Sequence, residues 1–295
     1  MAYPTVSAPY GLLPVNLIGG QVFAGSTRSM QIQYGYATSI FYGDFVAVTR
    51  GFVTRLAQTD GGSATTGAAG YGEVGIFLGC SYTNPLTKQK QFSQYWPAGT
   101  LAGDAVAIVT DDPDTIFKAA VVTTQGGTTI GAASRAMIGL NMTISDLAGN
   151  VNTGNSSNGI LASSAASTAA LPVRIIDVVP ETAVPLGTAT WSSGTTTLTT
   201  TAIPNALPVG TEVGFLAANG QYVGCANWVS TAASAGATSV VVNAQYGVVQ
   251  AGGTSATGTA IPANSVLVFT QYTEVLCKIN FGKHAYYTAL GTQTA

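Results

Sequence analysis

Charge is what this sequence has least of. Among its 295 residues, 10 are basic and 12 acidic, 7% of the chain, where an ordinary soluble domain carries about a quarter. Ten scattered Lys and Arg do not make the basic face that neutralising phosphates requires, so no nucleic-acid partner is expected. A single histidine, His284, excludes a metal centre built on several imidazoles. The three cysteines, Cys80, Cys225 and Cys277, share no close spacing, so neither a zinc site nor a disulfide framework is implied. They read as reduced and mostly buried. Long apolar runs are also missing. Val240-Val241-Val242 and Val266-Leu267-Val268-Phe269 fall far below the roughly 18 residues of a membrane span. The start, Met1 to Thr5, lacks the basic and apolar pattern of an export signal, so synthesis in the cytoplasm is expected. Disorder is excluded as well, because 46% of the residues are apolar.

What is present is β-sequence and glycine. Short runs of branched and aromatic residues recur between turn signals: Gln31–Tyr34, Ile40–Tyr42, Phe45–Thr49, Gly75–Cys80, Gln91–Trp96 and Asp104–Val109. A flexible Gly/Ser/Thr loop is expected over 59–70. One helix is expected, Thr129–Met142, weakened by Gly131 and Gly139. Leu171–Val179 is a clear strand closed by Pro180. Residues 186–264 then differ in kind: they are rich in Thr, Ser, Ala and Gly and hold one charge, Glu212. Asn219-Gly220 in this stretch is a strong hairpin signal. The earlier pattern resumes at Val266–Phe269 and Thr273–Phe281, and the returning strand is expected to pair with 171–179. The fold class is therefore all-β: an antiparallel sandwich or barrel core, with an extended N-terminal arm and a second, small inserted β-domain. The expected domains are an arm over 1–20, a main domain over 21–185 plus 265–284, an insert over 186–264, and a tail over 285–295.

The arm is the most unusual segment. Pro4, Pro9 and Pro14 bar a helix and push the chain toward extended geometry. Yet Tyr3, Tyr10, Leu12, Leu13 and Val15 are too apolar to stand in water. Such a segment needs a surface, either its own core or another subunit. The second is the working expectation, with Tyr3, Pro4, Pro9, Tyr10, Leu12, Leu13, Pro14 and Val15 as intersubunit contacts.

Catalytic signatures are missing. There is no Gly-x-Ser-x-Gly elbow, no phosphate-binding loop and no Cys-x-x-Cys. Cys277 and His284 stand seven apart, about 20 Å along an extended chain. No enzyme and no cofactor are expected. Asp111-Asp112-Pro113-Asp114 is dense enough in carboxylates to suit a hard cation. It lacks the glycine and later glutamate of an EF-hand loop, and Pro113 suits a plain turn. Trp191, Tyr222 and Trp228 in the insert are candidate glycan contacts, or the filling of a small core.

Ser7-Ala8-Pro9-Tyr10-Gly11-Leu12-Leu13-Pro14-Val15 resembles the "APFG-L-P" opening of a group of tailed-bacteriophage virion structural proteins. Tyr42-Gly43-Asp44, Gly79-Cys80-Ser81-Tyr82-Thr83, Asp111–Asp114, Leu171–Ile175 and Ile279–His284 are similar to further pieces in the same order. The resemblance implies a capsid decoration (cement) protein on the virion exterior. Its partners would be the major capsid protein and copies of itself, as a homotrimer, with no membrane partner. A tail or neck component, or a glycan-binding adhesin acting through the insert, are the alternatives.

Overall fold

The computed structural model describes residues 6–56, 73–167, 169, 171–191, 197–200, 202–203, 206–216, 222–243, 266–280, 282–284 and 286, with side chains at all of these except 73, 183–191, 198, 215–216, 222–227 and 266–268. Strands are its regular structure, as the alternating patterns require, and the helical content among the described residues is three short 3-10 turns. The first eight strands are β1 (Leu13–Leu17), β2 (Arg28–Gln31), β3 (Phe45–Thr49), β4 (Phe52–Arg55), β5 (Glu73–Thr83), β6 (Lys90–Ser93), β7 (Val106–Thr110) and β8 (Thr115–Val122). Next come β9 (Asn141–Met142), β10 (Ile144–Ser145), β11 (Gly159–Leu161) and β12 (Val173–Val178). The last are β13 (Ala183–Trp191), β14 (Thr197–Thr200), β15 (Glu212–Leu216), β16 (Tyr222–Trp228), β17 (Ser239–Val241), β18 (Val266–Tyr272) and β19 (Glu274–Ile279).

Two compact units result. The larger holds 6–131, 139–177 and the described residues from Glu274 to Tyr286. It contains two sheets. In one, the order is β10-β11-β8-β19-β12-β9, with β1 also paired to β8. Its two outermost strands, β9 and β10, are separated in sequence by Thr143 alone. That single-residue link forces the edges together, so the sheet curls into a nearly closed barrel. Closure hides strand edges that would otherwise invite other chains. The returning strand β19 does lie beside β12. Most pairings are antiparallel; β11 on β8 is parallel. The central strand β8 is buried on both faces, with Ala119, Ala120, Val121 and Val122 at 0% exposure. The second sheet runs β2-β7-β5-β3-β4, with β6 on β5. Its core gathers Ile32, Ile40, Val46, Phe77, Cys80, Tyr82 and Trp96. Tyr82 meets Trp96 edge to face, ring centroids 5.4 Å apart.

The smaller unit comprises Val178–Thr273 together with Ala132–Ile138. It reaches past 186–264 on both sides because β13 and β18 pair with each other, Ala183 opposite Tyr272. Its sheet is β16-β15-β18-β13-β14-β17. Ile203, Leu207, Val213, Val229, Val240, Val242 and Phe269 form its core. β15 and β16 pair antiparallel around the Asn219-Gly220 signal, which itself lies outside the described residues.

The helix expected over Thr129–Met142 does not form; one 3-10 turn, Arg135–Met137, is all that is helical there. Backbone bridges take the flanks instead, Ile130 to Val122 and Ala133 to Tyr272. Gly131 lies so close to β8 that a Cβ would sit 2.8 Å from the Val122 carbonyl carbon. Tertiary pairing here overrides a weak helical preference.

Candidate functional site

The leader does not stand away from the protein. Pro9 is buried and Leu12 is at 0% exposure. From Leu13 the chain becomes β1, in antiparallel register with β8. The expectation of an intersubunit arm over 1–20 is therefore corrected for residues 6–20: 6–17 are extended, but on their own unit, and 18–20 are an exposed turn. β1 takes the part of β8 that β11 leaves unpaired, Leu13 to Leu17 opposite Lys118 to Thr115, so backbone hydrogen bonds act beside the burial of Leu12. Of the named contact candidates, Tyr3 and Pro4 lie outside the described residues. Leu13 and Pro14 are half-buried, and Val15 is 44% exposed.

Two glycine turns explain how the leader seats. Gly11 and Gly43 both have positive φ, +84° and +92°. A Cβ on Gly11 would lie 2.8 Å from the Gly43 carbonyl oxygen, so only glycine allows the approach. The Leu12 amide donates to that oxygen at 3.1 Å, and the Gly11 amide donates to the Asn158 carbonyl at 2.9 Å. The pieces Pro9–Leu12 and Tyr42-Gly43-Asp44, far apart in sequence, thus meet.

Asp44 ties this junction. Its carboxylate is fully buried and accepts from the Phe41 amide at 2.9 Å, Arg55 Nε at 2.9 Å, Ser156 Oγ at 2.6 Å and Asn158 Nδ2 at 3.1 Å. Burial pushes its pKa above the ordinary carboxylate range, while Arg55, Ser156 and the Phe41 amide pull it back down. Arg55 also donates to Asp146 and to the Leu147 carbonyl. Nothing in the sequence spacing marked Arg55, Ser156 or Asn158 as partners of Asp44, since the contacts span up to 114 residues.

A second knot lies beside the leader. Tyr10 donates to Glu274, which also pairs with Lys118 Nζ at 3.5 Å. Burial first, and then Glu274, push the Tyr10 hydroxyl above its usual pKa.

The acidic run does not converge on a common point. Asp111 pairs with Arg28 Nε at 2.8 Å and accepts from Tyr286. Asp112 Oδ1 accepts the Asp114 amide at 2.9 Å, and Asp114 pairs with Lys278 at 3.3 Å. Among the described residues, no group of three or more His, Cys, Asp or Glu is placed to hold a metal ion. The run is a turn, and it receives Tyr286. Arg28 lies over the Tyr286 ring at 5.5 Å, and the His284 and Tyr286 rings are 4.8 Å apart. Burial lowers the His284 pKa, opposed by the Asp111 charge. Of the expected tail 285–295, only Tyr286 is described.

Cys80 and Cys277 are free thiols, both buried, and burial pushes each pKa up to about 12. Such a thiol is a small hydrophobe rather than a nucleophile. The glycan candidates are dispersed. Tyr222 and Trp228 occupy opposite ends of the edge strand β16, and Trp191 ends β13, three strand spacings or about 14 Å across the sheet. Trp228 is 40% exposed.

The surface carries large apolar side chains at turns and edges. Among the described residues the most exposed of these are Leu86 at 89%, Phe92 at 81% and Val22 at 79%. The chain matches no protein-family model and no curated protein. Among the described residues, no helix is long and apolar enough to cross a membrane.

Proposed function

We propose that this chain is a non-enzymatic virion structural protein of the capsid-decoration type, which binds the exterior of a tailed-phage head as a homotrimer. The observation that supports this most is the use made of the segments resembling phage structural proteins. Pro9–Leu12 and Tyr42–Asp44 seat against each other, and Asp111 anchors the chain after Ile279–His284. The carboxylates at these junctions, and Glu274 beside Tyr10, are spent on cross-linking the fold. Asp44, Asp111 and Glu274 are all held by cations and hydroxyls of the same chain. A protein that attaches once and stays needs such rigidity, together with apolar contacts outside.

The leader's share in attachment is its outer side rather than a free arm. Val15, Ile18 and Val22, 44%, 45% and 79% exposed, sit on the hairpin closed by the Leu17 amide and the Gln21 carbonyl. We assign the major capsid protein as their partner. A stable contact needs roughly 800 Å² per side, and three copies on one capsomer strengthen it through effective concentration.

Immunogold microscopy on purified virions of the encoding phage, with antibody raised against the full chain, tests the reading. Label over the head is expected. Label confined to the tail or neck overturns the head assignment, and unlabelled particles overturn the virion assignment.

A further inference from the structure

The smaller unit is nearly without charge. Its stretches 132–138 and 178–273 hold only Arg135, Glu181 and Glu212. Two of these meet at one place on its outer surface. Val213 and Val229 are core residues at 0% exposure, so their strand neighbours Glu212 and Trp228 face outward. Glu212 and Trp228 lie directly opposite each other on β15 and β16, which puts their Cβ atoms about 4.5–5.5 Å apart. Arg135, from the 3-10 turn, pairs its Nε with Glu212 Oε2 at 3.3 Å. Its guanidinium lies over the Tyr272 ring at 5.6 Å, and the Tyr272 hydroxyl donates to the same Glu212 oxygen at 3.1 Å.

Trp228 does not fill the core of this unit. It is 40% exposed, whereas Trp96 of the larger unit is 0% exposed. Its backbone is nonetheless fixed. The Trp228 amide donates to Asn243 Oδ1 at 2.7 Å, and its carbonyl accepts the Asn243 amide at 3.0 Å. An indole is thus held at the surface by strand pairing, with a carboxylate across the ladder from it and a guanidinium just beyond.

We propose that Trp228, Glu212 and Arg135 form a surface site for a neutral saccharide. A pyranose has a face of C–H groups and a rim of hydroxyls. The C–H face suits the exposed indole, whose body is apolar. The rim suits the ion pair, which sets carboxylate acceptors beside guanidinium donors. Glu212 and Arg135 cancel in charge, so an ionic ligand gains no net attraction. A nucleotide would also stack, but Arg135 is the sole basic residue in these stretches and already pairs with Glu212, which leaves no cation to neutralise phosphate. A wholly apolar ligand would have to strip water from the ion pair without replacing its hydrogen bonds. The groups are in place before any ligand arrives, which keeps the ordering cost of binding small. Tyr222, at the far end of β16, and Trp191, on β13, have no part in this site.

This goes beyond the capsid reading and does not rest on it, so virion labelling and saccharide binding fail independently. The test is binding of the labelled full chain to an array of neutral oligosaccharides of hexoses and N-acetylhexosamines, with sialylated and sulfated counterparts beside them. The best neutral oligosaccharide is then titrated against wild type, Trp228→Ala, Trp228→Phe and Glu212→Gln. Tyr34→Ser, an exposed aromatic of the larger unit, is the control. Circular dichroism melting checks that each variant is folded. Wild type and Tyr34→Ser are expected to bind equally. Trp228→Ala weakens binding roughly tenfold or more, Glu212→Gln weakens it less, and Trp228→Phe, which keeps an aromatic face, recovers much of the loss. Crystals of the full chain soaked with the same oligosaccharide give a reading that needs no variant: a sugar ring stacked on Trp228 supports the site, and a sugar bound elsewhere overturns it. Failure to bind every neutral oligosaccharide, binding confined to the charged ones, or unchanged binding by folded Trp228→Ala also overturns the proposal.

Discussion

Replacing Asp44 with alanine is the sharpest probe of how this fold is held. The carboxylate is fully buried and collects four donors from three parts of the chain. Its removal leaves Ser156 Oγ and Asn158 Nδ2 without their acceptor, at about 1–3 kcal/mol for each group not rescued by water. Breaking a buried ion pair by deleting one partner costs about 3–5 kcal/mol. Arg55 keeps Asp146 and the Leu147 carbonyl, so its charge is not orphaned and the lower part of that range applies. A loss of about 3–5 kcal/mol follows. At about 2–4 °C per kcal/mol for a unit of this size, Tm falls by about 6–20 °C. Calorimetry of the full chain reads the shift. Hydrogen exchange locates it: protection should drop at Phe41, Arg55 and Asn158 and stay unchanged at Val213 and Val229 in the smaller unit. A fall under about 2 °C, or a stabilised Asp44→Asn variant, would show that the burial penalty cancels the network and would refute the reasoning.

Gly75→Ala should destabilise the larger unit by about 3 kcal/mol or more, because the new Cβ would sit 1.9 Å from the Thr110 carbonyl oxygen on the paired strand. Gly103→Ala, with nothing within 4 Å, is the neutral control, and urea midpoints compare them. Cys80 and Cys277 should resist iodoacetamide at pH 8 in the folded chain and react once denatured, as read by peptide mass mapping. Their folded pKa values exceed the unfolded value of about 9, so the stability they contribute is complete below pH 9. It is lost as pH rises toward about 12, by up to roughly 1.4 kcal/mol per pH unit for each thiol. Deleting residues 1–20 should unfold the larger unit or lower its Tm steeply, since Leu12 alone is worth about 2–5 kcal/mol; a truncated protein melting within about 2 °C of the full chain contradicts the seated leader.

Much of this architecture was legible in the residues. Period-two alternation and turn chemistry call for an all-β chain, and both are local properties. The change of composition near 186 marks a second unit, although its limits move outward because β13 and β18 choose each other as partners. Gln91–Trp96 shows where the local signal fails. Phe92 and Trp96 share one phase of the alternation, yet Phe92 is 81% exposed and Trp96 is 0% exposed. The strand ends at Ser93, whose hydroxyl donates to the Tyr95 carbonyl at 2.6 Å, and the turn resets which side faces inward.

The leader draws the line most clearly. Its prolines and apolar residues decide, without any partner, that it is extended and must be covered. Which surface covers it depends on Gly11 meeting Gly43 and on the stretch of β8 that β11 leaves unpaired, contacts between residues far apart in the chain. The same holds for Asp44, whose neighbours at 156 and 158 no spacing rule connects. Backbone preference and solvent avoidance act over a few residues and can be read directly; the choice among competing apolar and polar partners is made only when the whole chain is closed in space.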